Sequence, residues 1–192
     1  MIPFYKHNLT SKNYIKKTLK SFYLTSGPKC EEVENILKKK FNKKFSFLTN
    51  SWTNAAIAIL LALKIKRGDE VIIPACTFVA CANIIEMVGG KVIFADIDPK
   101  TKLMDINDCL KKITKKTKAI MPVHLYGNLF PTFVLKRKIR KNIFIIEDSA
   151  HAFSGEYNNR PLGFYADFLI FSFYATKSIT CGEGGAILSN NK

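Results

Sequence analysis

Four clusters of polar and small residues stand directly after apolar stretches of this chain. They are Asn50-Ser51-Trp52-Thr53-Asn54, Ala75-Cys76-Thr77-Phe78, His124-Leu125-Tyr126-Gly127 and Glu147-Asp148-Ser149-Ala150-His151. Asp148 ends the run Ile143-Phe144-Ile145-Ile146. A carboxylate placed at the end of a buried strand is costly unless a positive group meets it, and a protonated heterocycle nitrogen is one such group. Lys177 follows the apolar run 168–173 and precedes the glycine turn Gly182-Glu183-Gly184-Gly185. Partial desolvation there lowers an amine's pKa and makes it nucleophilic toward carbonyls. Thr53 and Asn54 open a helical stretch, where unpaired N–H groups suit a phosphate, and Ser172 could add a hydroxyl to the same anion. Phe78 is a flat aromatic in a loop, able to cover a ring. Each has a plainer reading on its own. Asp148 could cap a loop, Lys177 could snorkel to solvent, Thr53 and Ser172 could be ordinary caps, and Phe78 could be a core contact.

The elements that must position these groups alternate. Helical patterns are expected over 30–41, 55–63, 77–88, 106–113 and 132–140. Strand patterns are expected over 45–48, 70–74, 91–95, 117–122, 142–147, 167–173 and 185–189. Residues 51–53 offer helix caps, Gly89-Gly90 closes a helix, and the stretch up to Pro28 reads as irregular. Alternating strands and helices with continuously apolar strands imply a three-layer α/β/α domain around a mainly parallel sheet. Such sheets carry their chemistry beyond the carboxyl ends of the strands, where the four clusters fall.

Composition narrows the classes. The chain has 192 residues, 47% hydrophobic and 12% aromatic, enough for a sizeable core and against a disordered tail. The net charge is +15, yet only Arg67, Arg137, Arg140 and Arg160 are arginines. The lysines are scattered without interleaved aromatics, which argues against nucleic acid as a partner. The most apolar run, 55–63, is too short for a membrane helix, and the start Met1-Ile2-Pro3-Phe4-Tyr5-Lys6 has no signal-peptide pattern. Five cysteines with no C-x-x-C spacing argue against a disulfide framework or a metal site and suit free thiols in a reducing cytoplasm. Dinucleotide, P-loop, zinc-protease and nucleophile-elbow motifs are absent. A lysine able to form a Schiff base, an aspartate for a ring nitrogen, an aromatic cover and a phosphate cup together form the protein half of a pyridoxal 5′-phosphate site.

On these stretches the sequence resembles the DegT/DnrJ/EryC1/StrS family of sugar aminotransferases, of pyridoxal-phosphate fold type I. The matching segments run from Leu24-Thr25-Ser26-Gly27-Pro28 through Gly68-Asp69-Glu70-Val71-Ile72-Ile73-Pro74 and Glu147-Asp148-Ser149-Ala150-His151-Ala152 to Ser172-Phe173-Tyr174-Ala175-Thr176-Lys177 and the glycine turn. The resemblance implies a PLP-binding large domain over 29–192, preceded by an N-terminal arm over 1–28, with a smaller C-terminal domain absent. It implies Lys177 as the Schiff-base and proton-shuttling lysine, and Asp148 as partner of the pyridinium nitrogen. It places His151 near the ring hydroxyl, Phe78 on the ring face, and Thr53, Asn54 and Ser172 around the phosphate. Trp52 stands where the family often has Gly or Cys, and Tyr174 where it often has His. The implied reaction moves an amino group from an amino acid, glutamate by resemblance, to a nucleotide-linked keto sugar in amino-sugar and polysaccharide biosynthesis, by a homodimer. Related sugar dehydratases carry histidine in place of the lysine, so Lys177 argues for transamination. Family chains continue well past the point where this one stops, so little turnover is expected of these 192 residues alone. The alternative is an inactive fragment that serves only as a subunit or binding partner.

Overall fold

The computed structural model describes residues 12–157 and 159–191. Helices α1 (Lys12–Leu19) and α2 (Pro28–Phe41) lead into β1 (Phe45–Thr49) and α3 (Trp52–Ala62). Then β2 (Glu70–Pro74), α4 (Ala80–Met87), β3 (Lys91–Ala95), α5 (Ile106–Lys111) and β4 (Thr117–Ile120) alternate. A 3-10 turn at Leu125–Gly127, α6 (Thr132–Lys138) and β5 (Phe144–Asp148) follow. A two-stranded ribbon of β6 (Glu156–Tyr157) and β7 (Arg160–Pro161) precedes β8 (Phe168–Ser172) and β9 (Gly185–Ser189).

Seven strands form one sheet in the order β1-β9-β8-β5-β4-β2-β3. Only β9 runs against the others, being antiparallel to both β1 and β8. The chain reverses between β8 and β9 through the segment carrying Lys177, which a hairpin permits and a parallel crossover would not.

The two faces of the sheet have separate cores. Ile170 and Ile187, paired across β8 and β9, join α3, α4 and the β2–β5 side chains in one cluster. Their neighbours Leu169, Phe171, Ala186 and Leu188 face the other way and pack on Leu37 and Phe41 of α2. This is the period-two alternation of a sheet covered on both sides. Phe41 meets Phe171 at 4.7 Å and Phe153 at 5.6 Å, ring centre to ring centre.

Several details differ from what the residues alone suggest. The stretch before Pro28 is not wholly irregular, because Lys12–Leu19 is helical. Its apolar pair Ile15 and Leu19 sits one turn apart yet exposed, so it offers no buried stripe to read. In α2, Leu37 and Phe41 are buried while Val33 and Ile36 are exposed, because only one narrow stripe reaches the sheet. Helix α4 begins at Ala80 rather than at 77, since Cys81 and Ala82 donate to Phe78 and Val79 in tighter three-residue turns. The β6–β7 ribbon carries no alternation long enough to show in the sequence.

Candidate active site

Strand register decides where the tandem acids point. Asp148 is paired with Ile170 and shares its face, toward α3, whereas Glu147 is paired with Leu169 and shares the α2 face. Asp148 is buried at the carboxyl end of β5. Its Oδ1 accepts the backbone N–H of Ala150 and the indole N–H of Trp52, both at 2.9 Å. Its Oδ2 lies 3.5 Å from the Cys81 thiol, which in turn lies 3.3 Å from the Thr77 hydroxyl. Burial pushes the Asp148 carboxyl above the usual carboxylate range, against the pull of the Ala150 N–H, the Cys81 thiol, His124 and the indole.

Glu147 serves the opposite face. Its Oε2 accepts the Gly163 N–H at 2.6 Å and lies 3.3 Å from His124 Nε2, a close contact that is poorly aligned as a hydrogen bond. Burial works to raise the Glu147 carboxyl, but His124, Thr132 and the Gly163 N–H together hold it below its ordinary value. The buried Lys43 donates to the carbonyls of Gly163 (2.6 Å) and Ala166 (3.1 Å). These groups fasten the 163–166 turn to β5 and to Lys43.

Lys177 sits in the β8–β9 connection. Tyr174 bridges Gly182, Phe173 N–H donates to Gly184 O, and Lys177 N–H donates to Tyr174 O at 2.9 Å. The loop is therefore closed at its base, with the lysine near its tip. Half-burial lowers the Lys177 amine below its ordinary value, while Asp148 pulls it back up. The strand pair closes tightly because position 185 has no side chain. A Cβ there would lie 2.6 Å from the Ser51 carbonyl carbon and 2.8 Å from Thr49 Oγ1.

Helix α3 starts from that contact. Ser51 is its N-cap, and its side chain accepts the Asn54 N–H at 3.2 Å. The N–H groups of Trp52 and Thr53 lie in the first turn, where a helix supplies no acceptors. His151 Nδ1 accepts the Tyr126 N–H at 3.3 Å, so a neutral imidazole carries its proton on Nε2. The Tyr126 ring stacks on it at 5.8 Å, from a backbone in the left-handed region (φ 53°). Burial and the nearby Lys177 lower the His151 pKa, while Asp148 opposes them.

These parts enclose one cavity of about 500 Å³ at the carboxyl ends of the strands. Thr53, Phe78, Asp148, His151, Ser172 and Lys177 all line it, so six of the expected groups converge. Phe78 is largely exposed at its rim (71%), with a ring face free to cover a ligand. Asn54 is not in the lining; its N–H is spent on Ser51 and its amide on Asn50 Oδ1. Trp52, Thr77, Cys81 and Tyr174 also line the cavity, and sequence reasoning gave none of them a role. For Trp52 the signal was visible in a large indole standing where a small residue is usual. Among the described residues, no group of three or more His, Cys, Asp or Glu side chains could hold a metal. Nor is any described helix long and apolar enough to cross a membrane.

A mainly parallel sheet with one reversed strand, helices on both faces and a lysine loop, a buried aspartate and a helix start around one cavity is the fold of the large domain of fold type I PLP-dependent transferases. The sequence profile of the DegT/DnrJ/EryC1/StrS aminotransferase family matches residues 7–192, and the chain belongs to that family. GDP-perosamine synthase of Escherichia coli O157:H7 is 38% identical over 195 residues, covering the whole of this chain and 54% of that protein. Spr1654 of Streptococcus pneumoniae, solved in its PMP form, superposes with a TM-score of 0.94 at 34% identity, covering all of this chain and 53% of that one. A GDP-4-keto-6-deoxymannose-3-dehydratase holding a trapped PLP–glutamate geminal diamine superposes at 0.87 with 29% identity, over 92% of this chain and 48% of that one. The chain thus spans about half the length of the relatives it matches. Spr1654 has been solved in PLP, PMP and cofactor-free forms, and the family's cofactor is pyridoxal 5′-phosphate.

Proposed function

We propose that this chain is the cofactor-binding part of a sugar aminotransferase, which moves an amino group from an amino acid, glutamate in the first instance, to a nucleotide-linked keto sugar for amino-sugar and polysaccharide biosynthesis. The observation that carries the reading is the convergence of Lys177 and Asp148 on one cavity beside the start of α3. Residues 29–192 would form the large domain, with 1–28 as an arm, in a cytoplasmic homodimer. Likeness to GDP-perosamine synthase supports a nucleotide-sugar substrate. The retained lysine supports transamination over dehydration.

The cavity's donors fit the cofactor. A ring nitrogen against Asp148 would supply the positive partner that its burial demands. The free N–H groups of Trp52 and Thr53, with the hydroxyls of Thr53 and Ser172, would hold the phosphate at the positive end of α3. His151 Nε2–H would donate to the ring oxygen, its orientation set from behind by Tyr126. Phe78 would cover the exposed ring face and limit water. When bound, pyridoxal phosphate supplies an electron sink for the pair left as a proton leaves the amino-bearing carbon. Lys177 Nζ would hold the aldehyde carbon in the resting state. Once released it would take the proton from the donor's α-carbon and return it elsewhere along the reaction, a task that suits an amine with a lowered pKa.

The test is direct. Pyridoxal phosphate added to the purified chain should give a near-visible absorbance band that borohydride fixes. Peptide mass mapping should place the adduct at Lys177, and Lys177→Ala should abolish it. An adduct spread over surface lysines, unchanged in the variant, would defeat the reading.

A further inference from the structure

The geometry points to Trp52 as a positioning residue for the cofactor's ring nitrogen: its indole anchors one oxygen of Asp148 and leaves the other free to receive that nitrogen. The inference rests on the function proposed above and assigns a task to a side chain that the family motif does not supply.

Three observations carry it. Trp52 is buried in the first turn of α3, so its indole cannot swing to solvent. Its Nε1–H donates to Asp148 Oδ1 at 2.9 Å, and the Ala150 N–H donates to the same oxygen at 2.9 Å. Oδ1 is therefore committed to two aligned N–H donors. Among the described residues, Oδ2 has only the Cys81 thiol, a weak donor at 3.5 Å. A carboxylate held through one oxygen at both of its available directions cannot rotate about its terminal bond without losing both hydrogen bonds. Oδ2 is thus presented in a fixed direction beside the cavity that Trp52, Cys81 and Asp148 line together. The contact also links the phosphate end of the site to the nitrogen end. The residue whose backbone N–H opens α3 is the one whose side chain orients Asp148. A shift of the α3 start would be felt at both ends at once.

Trp52 is the chain's single tryptophan, so tryptophan emission reports on the surroundings of this one indole. In the cofactor-free protein the emission should titrate with Asp148, and Asp148→Asn should remove that transition. Emission with no transition that depends on Asp148 would overturn the proposal. The second arm uses two probes, pyridoxal phosphate and its 1-deaza analogue, in which a ring C–H replaces the nitrogen. Trp52→Phe keeps an aromatic volume without the N–H. It should weaken capture of pyridoxal phosphate about tenfold, the scale of one hydrogen bond to a charged acceptor. Capture of the analogue, which offers Asp148 nothing to hold, should be unchanged. Equal losses with both probes would mean a merely structural role and overturn the proposal. Absence of capture by the unaltered chain would overturn this inference and the proposed function together, so the two failures are distinguishable. Should Trp52→Phe not fold, the fluorescence titration of the unaltered chain and Asp148→Asn decides.

Discussion

Gly185→Ala should damage both stability and cofactor capture, and the size of the effect follows from its surroundings. Gly185 is buried, and its strand is clamped on both sides, paired to Thr49 on β1 and to Ser172 on β8. An added Cβ would meet the Ser51 carbonyl carbon at 2.6 Å and its oxygen at 2.7 Å. Both are backbone atoms at the cap of α3, so no side chain can rotate away. Overpacking of this kind costs about 1–3 kcal/mol. In a chain of this size each kcal/mol moves the melting temperature by roughly 2–4 °C, so a fall of about 5 °C is expected. Gly182→Ala is the control. Its φ of +90° imposes strain, but no atom lies within 4 Å of the new Cβ. Its loss should stay near the ~1–2 kcal/mol of a left-handed non-glycine residue. Thermal melts followed by circular dichroism, with urea titrations to check that the slope is unchanged, measure both. Borohydride trapping measures whether displacing Ser51 opens the phosphate corner. Equal melting temperatures for Gly185→Ala and the parent, with equal trapping yields, would refute the idea that backbone contact at Ser51 sets the site.

Three further outcomes follow from the same contacts. The rate of pyridoxal phosphate trapping should rise with pH through a midpoint below that of a free lysine, because burial lowers Lys177. Asp148→Asn should move the midpoint lower still, since Asp148 is the group that raises it; a midpoint at the free-lysine value would contradict this. Asp148→Asn should also leave the cofactor-free chain at least as stable as the parent near neutral pH. With its folded-state pKa raised, the Asp148 carboxyl favours the fold fully below its unfolded pKa, and that favour is lost as pH rises through the folded value. The variant's advantage should therefore vanish in acid, which stability measured against pH would reveal. Lys43→Met keeps the buried stem but removes two donors to the Gly163 and Ala166 carbonyls. It should cost about 1–3 kcal/mol and expose the 163–166 turn to limited proteolysis; unchanged cleavage would show that the amine holds nothing.

The sequence alone carried the layered α/β architecture, most of the strands and six residues that the fold brings to one cavity. Those features rest on local patterns. Short β-branched apolar runs bounded by turn residues, such as Val71-Ile72-Ile73 between Gly68-Asp69 and Pro74, read as strands buried on both faces, and a parallel sheet carries its chemistry on the loops beyond the carboxyl ends of its strands. What it left open was every property that depends on which atoms meet across the fold. That Glu147 and Asp148 serve opposite faces is set by their pairing with Leu169 and Ile170. That Asn54 is spent on capping α3 emerges only when Ser51 and Asn50 are in place. That Trp52 reaches a carboxylate 96 residues away is a consequence of α3 packing across the sheet toward β5. Periodicity reports which side of an element is dry. Only tertiary contact decides which partner a buried polar group finds there, because hydrogen bonds are short and directional while burial is neither.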